Sequence, residues 1–140
     1  MTTELTVHAV HAGGMRINAR AGAHAVTMDY PRQPGEPVAG FTPLQLLLAS
    51  LAGCSANTLA LLLRRAEQPF TGLEVHARGQ RREEHPTVLT EIVLEFAIHG
   101  AGVNPAVVER SLSVAEERIC PVWSMLKDGT PISATYRIIA

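Results

Sequence analysis

Hydrophobic and polar positions alternate from the start of the chain. Leu5, Val7 and Ala9 are separated by polar neighbours, Gly13-Gly14 marks a turn, residues 15–19 suit a second short strand, and after Gly22 residues 25–30 alternate as a third. Pro31, Pro34, Gly35, Pro37 and Gly40 then make residues 31–40 a loop. The pattern changes at Thr42-Pro43-Leu44-Gln45. Thr42 is a good N-cap, Pro43 suits the first helical position, and Gln45 can close a capping box. This predicts a helix to about residue 67, where Gln68-Pro69 stops it. Residues 43–63 carry no charge and are long enough to span a bilayer. Gln45, Ser50, Ser55, Asn57 and Thr58 interrupt the run and strand-like segments flank it, so a buried or intersubunit helix is expected instead of a membrane span.

Two long strands follow. Residues 71–82 place Leu73, Val75 and Ala77 on one face, and residues 89–99 place Ile92, Leu94 and Phe96 on one face. Asn104-Pro105 repeats the N-cap logic for a second helix, predicted to about residue 119, with Val108, Leu112, Ala115 and Ile119 as its apolar stripe. Cys120 precedes Pro121, which pushes it out of the helical region and places it at that helix's end. A short turn is expected over 122–126 and a last strand over 132–139. The predicted order is β-β-β-α-β-β-α-β in a single domain, residues 1–140, of the α+β class with mainly antiparallel pairing.

Composition adds bounds. With 46% hydrophobic and 18% charged residues the 140-residue chain is globular. A net charge of -1, from 12 basic and 13 acidic residues, argues against a nucleic-acid partner. The first ten residues lack the apolar run and cleavage pattern of a signal peptide. Two isolated cysteines fit a reducing compartment, so a cytoplasmic location is expected.

Candidate chemistry centres on Cys54 and Cys120. Cys54 lies mid-helix, with Ser50 one turn before it and Asn57 and Thr58 one turn after it, a narrow polar stripe on an apolar helix. It is about three turns from the helix N-terminus, too far for the helix dipole to help a thiolate, so a cation must come from elsewhere. Buried cysteines also act as inert small hydrophobes, and spacing alone does not tell whether the two sulfurs meet. His8, His11, His24, His76, His85 and His99 show no metal-ligand spacing, and there is neither a Cys-x-x-Cys nor a nucleophile elbow. Trp123, with Met125, could wall an apolar site if Cys120 takes part in one.

Three ordered blocks carry a resemblance. The run Phe41-Thr42-Pro43-Leu44-Gln45-Leu46-Leu47-Leu48-Ala49-Ser50-Leu51-Ala52-Gly53-Cys54 closely resembles the signature helix of the OsmC/Ohr family. Arg82-Glu83-Glu84-His85-Pro86 with Leu89-Thr90-Glu91-Ile92 resembles its hairpin, and Glu116-Glu117-Arg118-Ile119-Cys120-Pro121-Val122 its second cysteine motif. The resemblance implies two long central helices wrapped by strands in an intertwined homodimer with sites at the dimer interface. It implies a peroxidatic Cys54 that becomes a sulfenic acid on an organic hydroperoxide, and a resolving Cys120 that closes a disulfide for a dithiol reductant to reopen. No metal or organic cofactor is implied.

One departure bears on activity. The hydroperoxide-resistance members pair an N-terminal arginine with a glutamate in the first turn of the cysteine helix. Here the matching helix positions are Leu44 and Gln45. Arg16 matches the arginine, with Arg20 as its competitor. The chain resembles the OsmC-like branch more than the hydroperoxide-resistance branch. Beside an organic hydroperoxide reductase, two other readings stand: a redox-sensing or ligand-binding protein with little turnover, and a structural domain with inert cysteines.

Overall fold

The computed structural model describes residues 2–140. They fall into two compact units, one ending at Leu47 and the other spanning Leu48–Ala140, with the division inside the first helix.

The first unit is a three-stranded antiparallel sheet in the order β1-β2-β3, with β1 His8–His11, β2 Ile17–Ala21 and β3 His24–Met28. Leu5 and Val7 lie before β1 and are exposed, so the alternation at the start of the chain yields a shorter strand than expected. Gly13 (φ 96°) and Gly14 (φ 57°) make the first turn in the left-handed region, which glycine enters without a Cβ penalty. Asp29 organises the following loop: its carboxylate accepts the Tyr30 amide at 2.9 Å and the Ala39 amide at 3.0 Å.

Helix α1, Pro43–Arg65, starts as its sequence requires. The Thr42 amide donates to Gln45 Oε1 at 3.0 Å and the Gln45 amide to Thr42 Oγ1 at 3.2 Å, a closed capping box. By length and composition α1 is sufficient to cross a membrane. Its Leu51, Ser55, Thr58, Leu59 and Leu63 recur three or four residues apart, apart from the adjacent Thr58-Leu59 step, and are buried in the folded unit.

The second unit holds the sheet β4-β5-β6, with β4 Gly72–Arg81, β5 Leu89–His99 and β6 Ile132–Ile139. β5 is central, and its Ile92, Leu94, Phe96 and Ile98 are almost wholly buried. With the inner side of α1, Val108 and Trp123 they make the core of this unit, where truncating one large side chain to alanine costs about 2–5 kcal/mol. β4 pairs with β5 antiparallel, and β6 pairs with β5 parallel. Among the described residues three of the four strand pairings are thus antiparallel, and the parallel one follows from its connection. A long helical crossover returns the chain to the same end of the sheet, which a short turn cannot do.

That crossover differs from the sequence reading in two ways. Helix α2 covers Pro105–Val114, and residues Ala115–Ile119 form a π turn where a regular α-helix was expected. Residues Pro121–Leu126 form a further helix, α3, where a turn was expected, because Pro121 occupies a first helical position, where its missing N–H costs nothing. Asn104 caps α2 as predicted, its side chain accepting the Ala106 amide at 2.9 Å.

Candidate active site: the Cys54–Cys120 pair

Helix α1 carries Cys54 at a half-buried position. The polar residues around it are accounted for largely by the helix itself: the Thr58 hydroxyl donates to the Cys54 carbonyl at 2.9 Å and the Ser55 hydroxyl to the Ala52 carbonyl at 3.1 Å. Ser50, Gly53 and Asn57 lie on the exposed side.

Cys120 comes from the crossover, at the junction of the π turn and α3, with an extended backbone (φ -77°, ψ 104°) and a fully buried side chain. The fold brings the two sulfurs to 2.9 Å, with the Cys120 thiol donating to Cys54 Sγ. Both thiols are free. A disulfide bond, about 2.05 Å long, needs less than an ångström of further approach. Burial pushes the Cys120 thiol up to about 11 from 9.0, and the hydrogen bond to Cys54 adds to the rise. The backbone amides of Trp123 and Val122 pull in the opposite direction without reversing it.

The pair is therefore asymmetric. Cys54 is the half-buried member. Cys120 is fully buried, and its raised thiol is protonated at neutral pH.

The other candidates fall in different places. Arg16 belongs to the first unit, where its guanidinium stands 3.8 Å from the Asp29 carboxylate and is half exposed. Asp29 is held below the usual carboxylate range by the Ala39 and Tyr30 amides, with Arg16 and Arg32 contributing less. Sequence reasoning did not name Asp29 as a partner of Arg16, and no motif marks it. Arg20 lies on β2 opposite His8. Gln45 is engaged in its capping box. Trp123 is buried with its indole N–H unpartnered among the described residues, and it floors a cleft of about 280 Å³ formed with Glu109, Leu112, Ser113, Glu116 and Tyr136. Met125 is exposed. His11 bonds the Gly14 carbonyl and His99 the Glu74 carboxylate. Among the described residues no group of three or more His, Cys, Asp or Glu is placed to hold a metal ion.

Comparison with known proteins gives this geometry a family. The family model described as OsmC-like protein matches residues 34–135, a stretch that contains both cysteines. The chain belongs to the OsmC-like family. Protein YhfA of Escherichia coli K12 is 30% identical to this OsmC-like chain over 124 residues, covering 89% of it and 90% of YhfA. Among solved structures, an OsmC-like protein from Mycoplasma pneumoniae matches with a TM-score of 0.86 at 22% identity, over 100% of both chains. The organic hydroperoxide resistance protein OhrB of Bacillus subtilis matches with a TM-score of 0.67 at 15% identity, over 96% of this chain and 98% of that one. At these identities the two structures show the shared OsmC-like fold, an α+β arrangement of two three-stranded sheets and helices.

Proposed function

We propose that this chain is a cysteine-based peroxidase that reduces organic hydroperoxides, working as a homodimer in the cytoplasm. Family membership and the hydroperoxide-resistance names among its structural relatives support a redox or peroxide-related role. The observation that carries the finer reading is the 2.9 Å approach of the sulfur of half-buried Cys54 to that of fully buried, protonated Cys120.

In this reading the Cys54 thiolate attacks the terminal peroxide oxygen. The S–O bond forms as the O–O bond breaks, and the alkoxide leaves as an alcohol after taking a proton. Cys120 then attacks the Cys54 sulfenic acid. The S–S bond forms, the S–O bond breaks, and the hydroxyl departs as water with the Cys120 proton. An external dithiol returns the pair to two thiols by exchange and is itself oxidised. The raised Cys120 thiol keeps its proton available for that water. Arg16 is the activating cation that the family resemblance proposes; within the first unit it faces the Asp29 carboxylate at 3.8 Å, while Leu44 and Gln45 provide no helix carboxylate.

The homodimer has support on α1. Leu47, Ser50, Gly53, Asn57 and Leu61 line its exposed side at helical spacing, and Leu47 and Leu61 are apolar positions that a second copy would cover.

The test is titration of the reduced protein with cumene hydroperoxide, with free thiols counted in denaturant. Loss of both thiols at about one equivalent of peroxide, with Cys54→Ser abolishing consumption, is the expected result. Survival of both thiols in excess peroxide defeats the peroxidase reading. One observation favours a second reading, a redox sensor with little turnover. Gln45 is committed to capping α1, so the carboxylate clamp of the hydroperoxide-resistance branch has no equivalent in that turn. Disulfide formation without steady consumption of peroxide selects it.

A further inference from the structure

We infer that the π turn Ala115–Ile119 is the positioning element that aims Cys120 at Cys54. The inference rests on the reading of the two cysteines as a redox pair, and it concerns how the second cysteine is delivered, whatever the oxidant.

The inward positions of the crossover are Val108, Ser111, Leu112 and Ala115, three or four residues apart except for the adjacent Ser111-Leu112 step, as one face of an α-helix requires. The next inward residue is Cys120, five positions on and fully buried. In an unbroken α-helix a residue five positions on is rotated about 140° from its starting direction. The inward place would go to Ile119, at four positions, and the thiol would face away. A π turn closes its ring five residues apart, so the fifth residue falls beneath the first. The structure shows that ring: the Cys120 amide donates to the Ala115 carbonyl at 2.9 Å. Ile119 is left half-buried beside it.

The chain is fixed on the other side as well. Pro121 has no N–H with which to continue the ladder, and the Cys120 carbonyl accepts the Ser124 amide of α3 at 3.0 Å. The backbone of Cys120 is therefore tied through its N–H to one helical segment and through its C=O to the next. Its Sγ sits 2.9 Å from the partner sulfur with no side-chain cap of its own. An extra residue in a helix next to reacting groups is a recurrent device of functional sites. Here it reconciles a five-residue spacing with an inward thiol.

The spacing makes two opposite changes informative. Deleting the exposed Glu117 brings the cysteine to four positions from Ala115, where a plain α-helix delivers it to the same face. Exchanging neighbours, Ile119→Cys/Cys120→Ile, keeps the length but moves the thiol to the position that the π turn directs away. Each reduced protein is treated with diamide, which accepts two hydrogens as the two thiols join. Remaining thiols are counted in denaturant, and circular dichroism checks the fold. Wild type and the deletion are expected to form the disulfide at similar rates, and the exchange variant roughly tenfold more slowly or worse. An exchange variant that pairs as fast as wild type overturns the inference, as does a folded deletion variant that fails to pair. If the exchange variant does not fold, the deletion decides. Wild type that pairs with diamide but consumes no hydroperoxide defeats the peroxidase reading alone and leaves the π turn's role standing. Wild type that keeps both thiols under diamide overturns the redox pair and this inference with it.

Discussion

Cys54 and Cys120 stand 66 positions apart in the chain and 2.9 Å apart at their sulfurs. Closing a loop of that length restricts the unfolded chain strongly, and loop-closure entropy sets the gain at about 4 kcal/mol when the bond forms without strain. The oxidised protein is expected to unfold at distinctly higher urea than the reduced protein. Equal midpoints with and without reductant would show that the disulfide does not form in the native fold.

The protonation of Cys120 sets a second expectation. Its thiol is raised to about 11, chiefly by burial, so between 9.0 and about 11 the folded chain holds a proton that the unfolded chain has released. Stability contributed by this group is complete below 9.0 and falls as pH rises through about 11. In the native protein at pH near 8, iodoacetamide should modify Cys54 and spare Cys120 until the fold is opened, with mass spectrometry of the peptides locating the label. Rapid native labelling of Cys120 would contradict its shielding.

Two glycines should respond in opposite directions. A Cβ on Gly53 meets nothing within 4 Å, so Gly53→Ala should stabilise α1 in an isolated chain by up to about 1 kcal/mol. If the homodimer covers that side of α1, the same change weakens association, which analytical ultracentrifugation reads directly. Gly100 has φ 147°, and a Cβ there would lie 2.5 Å from the Pro69 carbonyl oxygen. Gly100→Ala should cost about 2 kcal/mol or more in a denaturant melt.

The cap of α2 gives a smaller effect. Asn104→Ala removes the acceptor for the Ala106 amide and should cost about 1 kcal/mol. The Asn104 backbone amide keeps its bond to Gln68 Oε1 at 2.8 Å, so the chain entry into α2 survives. A denaturant midpoint indistinguishable from wild type would deny the cap its role.

The elements with local causes were legible in the sequence. Thr42, Pro43 and Gln45 start α1, Asn104 and Pro105 start α2, and the apolar faces of β4 and β5 follow their alternation. What failed depended on spacing or on distant partners. Ile119 took Cys120's place in the predicted stripe because helical periodicity assumes an α ring, while the chain forms a π ring at Ala115. Pro121 ends the preceding helical stretch at Cys120, as read, but it also starts α3, where only a turn was expected. The parallel pairing of β6 is set by where the crossover returns the chain, which no local pattern encodes. The meeting of the sulfurs is legible only through the family resemblance, since no rule of spacing brings residues 54 and 120 together.

Trp123 is the single tryptophan of the chain, three residues beyond Cys120 and in the first turn of the helix that Cys120 caps. Its indole is enclosed, and its N–H has no protein acceptor among the described residues. Thiols and disulfides quench indole emission to different extents. The protein thus carries a label-free optical gauge of its own oxidation: each closure and reopening of the pair should register as a change in fluorescence on the timescale of the chemistry, readable by stopped flow.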